Sequence, residues 1–125
     1  MNIRTKIIYD GESYAVKNAI DILYRDMKRT LLASEDDGGE LRLVHADMAA
    51  EQYELKNGTL YAGDDLGFVY GLLHVSEDAL HIPPFWFWYD YEPRKAARAV
   101  IADYTSSPAR IRYRGWFIND ENLLN

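Results

Sequence analysis

The chain has 125 residues, of which 48% are hydrophobic and 27% are charged. These values are expected for one globular domain that buries a core without needing disulfides or structural metal ions. It contains no cysteine, which excludes a disulfide framework and thiolate metal sites. The 14 basic and 20 acidic residues leave a net charge of −6. This charge argues against nucleic acid as a partner, because binding to a phosphate backbone needs a dense cationic surface.

The sequence predicts neither a metal nor another cofactor. His45, His74 and His81 lack the short spacing of metal ligands, and no nucleophile motif surrounds a serine. No stretch reaches transmembrane length, so no membrane partner is expected. The N-terminus lacks the apolar region of a signal peptide, which predicts a cytoplasmic protein if Met1 is the native start and leaves the location open otherwise.

The first third of the chain predicts a strand, a helix and a second strand. Residues 3–9 alternate and contain β-branched side chains, and the pair Asp10-Gly11 indicates a turn. A helix is expected from about residue 13 to 32, capped by Ser13, because one apolar stripe recurs at helical spacing: Val16, Ala19, Ile20, Leu23, Met27 and Leu31. Residues 35–39 predict a solvated turn rather than an acidic metal loop, and residues 41–45 predict the second strand.

The pair Asn57-Gly58 is typical of a two-residue type I′ hairpin turn. Such a turn sets the register of its two strands, so that Leu55 lies opposite Leu60 and Tyr53 lies opposite Ala62. These four side chains then share one face of the sheet. The other face carries Glu54, Lys56, Thr59 and Tyr61.

A second helix is expected after Asp64 or Asp65, with an apolar set that consists of Phe68, Val69, Leu72, Leu73, Ala79 and Leu80. Gly67 and Gly71 lie one turn apart on it. Glycine weakens a helix, so we expect these two positions to allow a close approach to the sheet. Pro83 and Pro84 are expected to end the helix.

Residues 98–104 and 111–118 predict two further strands, which makes the order β-α-β-β-β-α-β-β. The predicted fold class is therefore α+β, a two-layer sandwich with a mostly antiparallel or mixed sheet and two helices packed on one face. Both helices should share a core that includes Leu23, Met27, Phe68 and Leu72. Between the second helix and the late strands, residues 85–91 hold six aromatic side chains, which could stack on sugars or cover a seam between domains.

The run from Tyr113 to Glu121 has the pattern of a barrel strand. Trp116, Phe117 and Ile118 are continuously apolar, as in a strand buried on both faces, and polar residues follow at its end, where (β/α)8 barrels build their active sites. Such a barrel needs about 250 residues. Asp120 and Glu121 are neighbours and point to opposite faces of a strand, so they cannot form the facing carboxylate pair of a glycosidase.

Several motifs occur in one order: Glu51-x-Tyr53-x-Leu55, the hairpin, Gly67-x-x-Tyr70-Gly71-Leu72 with Ser76-Glu77, the aromatic segment, and Tyr113 to Glu121. This order resembles the N-terminal region of glycoside hydrolase family 115, the α-glucuronidases that act on xylan. It is similar, more loosely, to the accessory domain before the barrel of β-N-acetylhexosaminidases. The resemblance covers roughly residues 51–121.

The resemblance implies an accessory α/β sandwich domain over residues 1–112 and the first strand of a truncated catalytic barrel over residues 113–125. This chain alone would then have no catalytic residue, while its parent protein would be a glycoside hydrolase. Asn119, Asp120 and Glu121 fall where the family's first barrel strand meets substrate. Arg114 matches a sugar-contacting arginine, but six residues of strand span about 20 Å, so Arg114 is the weaker of the candidate substrate-binding residues.

The expected partners follow from the same resemblance. They are the parent enzyme's catalytic barrel and a polysaccharide or oligosaccharide, with no nucleic acid and no membrane. Residues 116–118 would lack their barrel neighbours here, and an exposed apolar edge invites pairing, so self-association through the C-terminal segment is a further expectation. The alternative function is a stand-alone carbohydrate- or protein-binding module that uses residues 85–91.

Overall fold

The computed structural model describes residues 1–82 and 96–106. Over these residues the chain forms five strands and two helices in the order β1-α1-β2-β3-β4-α2-β5. The strands are β1 (Lys6–Ile8), β2 (Glu40–His45), β3 (Tyr53–Lys56), β4 (Thr59–Ala62) and β5 (Tyr104–Thr105). The helices are α1 (Tyr14–Thr30) and α2 (Asp65–Asp78).

The five strands form one mixed sheet in the order β1-β2-β4-β3-β5. β2 is parallel to both of its neighbours, β1 and β4, whereas β3 is antiparallel to β4 and β5. The predicted α+β sandwich is confirmed, and its sheet is of the mixed kind. The parallel pair β1–β2 is possible because α1 carries the chain back between the two strands.

The hairpin of β3 and β4 has the predicted register, with Leu55 opposite Leu60 and Tyr53 opposite Ala62. Both turn residues have positive φ, 52° at Asn57 and 76° at Gly58, as a type I′ turn requires. Leu55, Leu60 and Ala62 are buried. The local turn chemistry therefore decides which face of both strands enters the core.

Helix α1 matches its prediction within two residues at each end. The Ser13 side chain accepts a hydrogen bond from the Val16 N–H at 3.3 Å, and the helix ends at Thr30. All six residues of the predicted stripe are buried. Lys17, Asp21 and Lys28 lie off the stripe and are exposed, so α1 is an ordinary amphipathic helix with a charged outer face.

Helix α2 approaches the sheet closely at its two glycines, as predicted. A Cβ at Gly67 would lie 2.5 Å from the Gln52 carbonyl oxygen, and a Cβ at Gly71 would overlap the Leu60 side chain. Asp64 caps the helix by accepting a hydrogen bond from the Gly67 N–H at 2.9 Å. Its carboxylate also accepts the Glu51 N–H, so one side chain ties the helix to the loop before β3.

The end of α2 was predicted wrongly. The helix ends at Asp78, not at the proline pair, because His81 takes a left-handed conformation with φ 59°. The Leu80 N–H bonds to the Val75 carbonyl oxygen at 3.2 Å and the Ile82 N–H bonds to that of Ser76 at 3.0 Å. Pro83 and Pro84 lie outside the described residues. Ala79 and Leu80 are buried although they follow the helix.

Two predicted strands are shorter than expected. Residues 2–5 form a turn, in which the Thr5 N–H bonds to the Asn2 carbonyl oxygen at 3.0 Å, so β1 begins at Lys6. Of the strand predicted over residues 98–104, only Tyr104 lies in a strand, β5. Residues 96–99 instead contact the end of α1 and the N-terminus. The Leu32 N–H bonds to the Ala96 carbonyl oxygen and the Ala99 N–H bonds to the Met1 carbonyl oxygen, both at 2.8 Å. The strand predicted over residues 111–118 lies outside the described residues.

The core lies between the helices and one face of the sheet. Leu23, Met27, Phe68 and Leu72 all belong to it, as predicted, and the sheet contributes Ile7, Leu41, Leu43, Leu55, Leu60 and Ala62. Both helices therefore pack on one face. The opposite face carries polar residues such as Arg42, Lys56 and Thr59.

Candidate functional site

The predicted site residues fall in parts of the chain that the structure does not describe. Arg114, Asn119, Asp120 and Glu121 lie outside the described residues, as do the aromatic segment 85–91 and the barrel strand assigned to residues 113–125. These assignments stay predictions. The candidate sites below are built from residues 1–82 and 96–106.

Three aromatic rings meet where α2 crosses the β3–β5 edge of the sheet; we call Tyr53, His74 and Tyr104 the ring cluster. His74 of α2 stacks on Tyr104 of β5, with centroids 4.1 Å apart and planes 21° apart. The Tyr53 ring of β3 lies 5.8 Å from each of the other two. Among the residues that the structure describes, the two residues of β5 pair with β3, and the ring cluster adds a contact between β5 and α2.

Burial favours the uncharged forms of His74 and Tyr53. Burial lowers the pKa of His74, while Asp78 and Glu77 act in the opposite direction; the Asp78 carboxylate lies 4.0 Å from His74 Nε2. Burial also raises the pKa of the Tyr53 hydroxyl, and Tyr104, Glu77 and Asp78 add to that rise. The pKa of His74 and the pKa of Tyr53 move in opposite directions, so the pair suits ring packing rather than proton transfer between groups of similar pKa.

Sequence reasoning did not find the ring cluster. The sequence predicts a strand face for Tyr53 and the end of a strand at Tyr104, and the spacing of His74 only argues against a metal ligand. Nothing local joins them, because the pairing of β5 with β3 connects residues about 50 positions apart. The alternation of residues along β3 does predict that Tyr53 faces the helices, but it does not predict which side chains Tyr53 contacts there.

A depression of about 530 Å³ lies on the polar side of the sheet, where the β1 and β2 ends meet the hairpin turn. Its charged lining consists of Arg4, Lys6, Asp37, Glu40 and Arg42. Arg42 Nη2 lies 2.7 Å from the Glu40 carboxylate, and Arg4 donates to the Glu35 carbonyl oxygen at 2.8 Å. Because positive and negative groups alternate and partly neutralise each other, the depression does not select a ligand of one charge.

The acidic loop at residues 35–39 is held in place by the first residues of the chain. The Asn2 side chain donates to the carbonyl oxygens of Asp36 and Asp37 at 3.4 and 3.3 Å, and the Thr5 hydroxyl donates to that of Gly38 at 2.7 Å. Asp37 Oδ1 accepts the Gly39 N–H at 3.1 Å. The carboxylates of this loop are exposed, which agrees with a solvated turn. In the two described ranges, no three His, Asp or Glu side chains converge as metal ligands would.

One carboxylate is buried between the two helices. Asp26 of α1 is 3% exposed, and its Oδ2 accepts the Ser76 hydroxyl of α2 at 2.9 Å. Its Oδ1 lies 3.2 Å from Arg25 Nη2. A buried carboxylate needs such donors, so this group joins α1 to α2. Ser76, one of the motif residues, thus has a packing role.

No family model, no curated protein and no solved structure matches this chain. Among the described residues, neither helix has the length and apolar character needed to cross a bilayer.

Proposed function

We propose that this chain is a non-catalytic N-terminal accessory domain of a carbohydrate-active glycoside hydrolase with an α-glucuronidase-like parent enzyme. The proposal starts from the ordered motifs that resemble glycoside hydrolase family 115. Its substrate-binding residues would be Asn119, Asp120 and Glu121, with Arg114 as the weaker candidate. The parent's catalytic barrel and a polysaccharide or oligosaccharide would be its partners.

The main support for the proposal is that the motif residues within residues 1–82 and 96–106 have packing roles. Gly67 and Gly71 let α2 contact the sheet, Leu72 is 1% exposed in the core, and Ser76 binds the buried Asp26. These are packing roles. A motif that maintains a scaffold is expected of an accessory domain, whereas a catalytic motif would place its polar groups around a pocket.

The position of β5 supports the same proposal. Its Tyr104 is fastened to α2 by the ring cluster, and the Ser106 hydroxyl accepts the Tyr53 N–H at 2.9 Å. β5 is therefore anchored both to α2 and to β3. Residues 113–121, which resemble the start of a barrel, follow after six further residues.

The first test is the size of the intact gene product. An antibody raised against this domain is expected to detect a protein larger by about twice the mass of this 14.5 kDa chain, because a (β/α)8 barrel has about 250 residues. A product of 14.5 kDa alone would contradict the proposal.

The second test separates the accessory domain from a stand-alone binding module. The purified chain is titrated with glucuronoxylan oligosaccharides by calorimetry and assayed with aryl glycosides. One barrel strand cannot form a substrate pocket without the rest of the barrel, so an accessory domain tested by itself is expected to show neither turnover nor saturable heat. Saturable binding that Trp86→Ala and Trp88→Ala abolish, and that Tyr14→Ala at an 84% exposed position leaves unchanged, would instead assign the binding module.

A further inference from the structure

The outer face of α2 is apolar, in contrast to that of α1. Leu66 and Leu73 are seven residues apart, which places them two turns apart on one side of the helix, and they are 46% and 47% exposed. Tyr70 lies between them and is half-buried. The outer face of α1 carries lysines, aspartate and arginines instead. Exposed leucines opposite the buried side of a helix are typical of a helix that is covered on both sides.

This apolar face continues onto the sheet edge. His74 follows Tyr70 by one turn and stacks on Tyr104, which is 40% exposed. We call the surface formed by Leu66, Tyr70, Leu73 and Tyr104 the α2–β5 surface. It lies on the flank of α2 away from α1, since Ser76 on the other flank contacts Asp26.

The charged residues that α2 itself carries beside the α2–β5 surface are all acidic. Asp65 lies at its start and Glu77 and Asp78 lie at its end, and all three are exposed. Helix α2 has no lysine or arginine. Glu77 and Asp78 both raise the pKa of Tyr53, so their charges act on the ring cluster directly. In the helical layer, the lysines and arginines belong to α1.

These observations select one kind of occupant. A second copy that docked its own α2 would bring acidic residues against acidic residues, which is unfavourable in an interface. An anionic membrane would be repelled in the same way. A saccharide would leave the leucines without complementary groups. A protein surface with an apolar centre and flanking lysines or arginines satisfies both the leucines and the acids.

We propose that the α2–β5 surface is a docking site for a protein segment whose apolar side chains are flanked by basic residues. Leu66, Tyr70 and Leu73 contact the apolar centre of this segment, Tyr104 extends the contact across the sheet edge, and Glu77 and Asp78 face its cations. The site does not depend on the glycoside hydrolase assignment, because it is built from described residues of this chain alone.

The test uses a synthetic amphipathic helical peptide with leucines on one face and lysines on both flanks. Its control is the same peptide with glutamate in place of each lysine. We expect fluorescence anisotropy to give saturable binding of the lysine peptide that weakens with added salt, and no binding of the glutamate peptide. Amide chemical-shift changes in NMR spectra should cluster on α2 and β5.

Variants of the chain decide where the peptide binds. Leu73→Glu is expected to weaken binding at least about tenfold, as truncation of a central apolar contact does, and Leu66→Glu should act in the same direction. The matched control is Leu32→Glu, because Leu32 is also 46% exposed but follows α1. Glu77→Lys should weaken binding of the lysine peptide and leave the fold unchanged.

Several results would overturn the inference. They are equal affinity of Leu73→Glu and the unchanged chain, equal loss with Leu32→Glu, or no binding of the lysine peptide at millimolar concentration. Concentration-dependent dimerisation that Leu73→Glu abolishes would assign the surface to a second copy instead. Circular dichroism of each variant separates loss of binding from loss of fold, and the chemical-shift map of the unchanged chain tests the site without any variant.

Discussion

The hydroxyl oxygen of Tyr24 accepts a hydrogen bond from the backbone N–H of Ile7 at 2.7 Å. Ile7 is the central residue of β1, which is an edge strand of the sheet. The Lys6 N–H bonds inward to the Gly39 carbonyl oxygen, so the Ile7 N–H points away from β2. A side chain of α1 therefore satisfies a donor that would otherwise be open to another strand.

Tyr24→Phe is expected to destabilise the domain by about 0.5–1.5 kcal/mol, the usual net worth of one hydrogen bond. It should also raise self-association, because an unpaired edge invites pairing with another chain. Urea unfolding and size-exclusion chromatography at two concentrations measure the two effects. Tyr14→Phe, at an exposed position, is the control, and an equal effect of both variants would contradict the role of Tyr24.

Gly67→Ala is expected to destabilise the domain more than Gly71→Ala. At Gly67 the new methyl group meets the backbone oxygen of Gln52, which cannot rotate away. At Gly71 it meets the side chain of Leu60, so an overpacking cost of about 1–3 kcal/mol is partly offset by a gain in helix propensity of about 1 kcal/mol.

Leu60→Val supplies the control for this comparison. Adding it to Gly71→Ala should make the double variant more stable than the sum of the two single effects predicts, because the smaller side chain leaves room for the methyl group. Additive effects of the two changes would mean that Leu60 is not the contact that requires glycine at position 71.

Ser76→Ala is expected to cost about 1–3 kcal/mol of unfolding free energy, because it removes a donor from the buried carboxylate of Asp26. In a double-mutant cycle with Asp26→Asn, the coupling should be clearly different from zero. Chemical denaturation of the four proteins measures it. A coupling near zero would show that Ser76 does not stabilise Asp26.

Acidification is expected to destabilise the domain partly through His74. Burial lowers the pKa of His74 in the folded protein below its ordinary value of 6.5, so the unfolded chain takes up this proton first. The stabilisation is therefore complete above about pH 6.5 and is lost as the pH falls from there through the lower pKa of the folded state. Asp78 and Glu77 limit the loss because they favour the protonated ring.

His74→Phe keeps a ring against Tyr104 and removes the titrating group. Its melting temperature should fall less than that of the unchanged chain between about pH 7.5 and about pH 5.5, the range in which histidine titrates. His45→Gln tests whether loss of any histidine has this effect, since His45 is exposed. An unchanged pH dependence in His74→Phe would contradict the expectation.

The fold could be predicted from the sequence to a greater extent than the function. The barrel-strand reading of residues 113–125 and the substrate contacts at residues 119–121 rest on resemblance and stay predictions. The ring cluster and the α2–β5 surface were not predicted. The helical pattern identified Leu73 as an apolar position of α2, but burial of one side of a helix depends on what packs there, and periodicity cannot supply that when apolar residues occur all round.

Features that depend on neighbouring residues follow from the amino-acid sequence alone. Asn57 and Gly58 can adopt positive φ, so the hairpin and its register follow from local chemistry, and the spacing of Val16 to Leu31 determines the buried face of α1. The start of β1, the end of α2 and the order of the strands could not be predicted from the sequence. Those outcomes depend on contacts between distant residues, such as Asn2 with the loop at residues 36–37 and Tyr53 with Tyr104. Such contacts form only after the chain has closed long loops, and no local pattern specifies which pairs will meet.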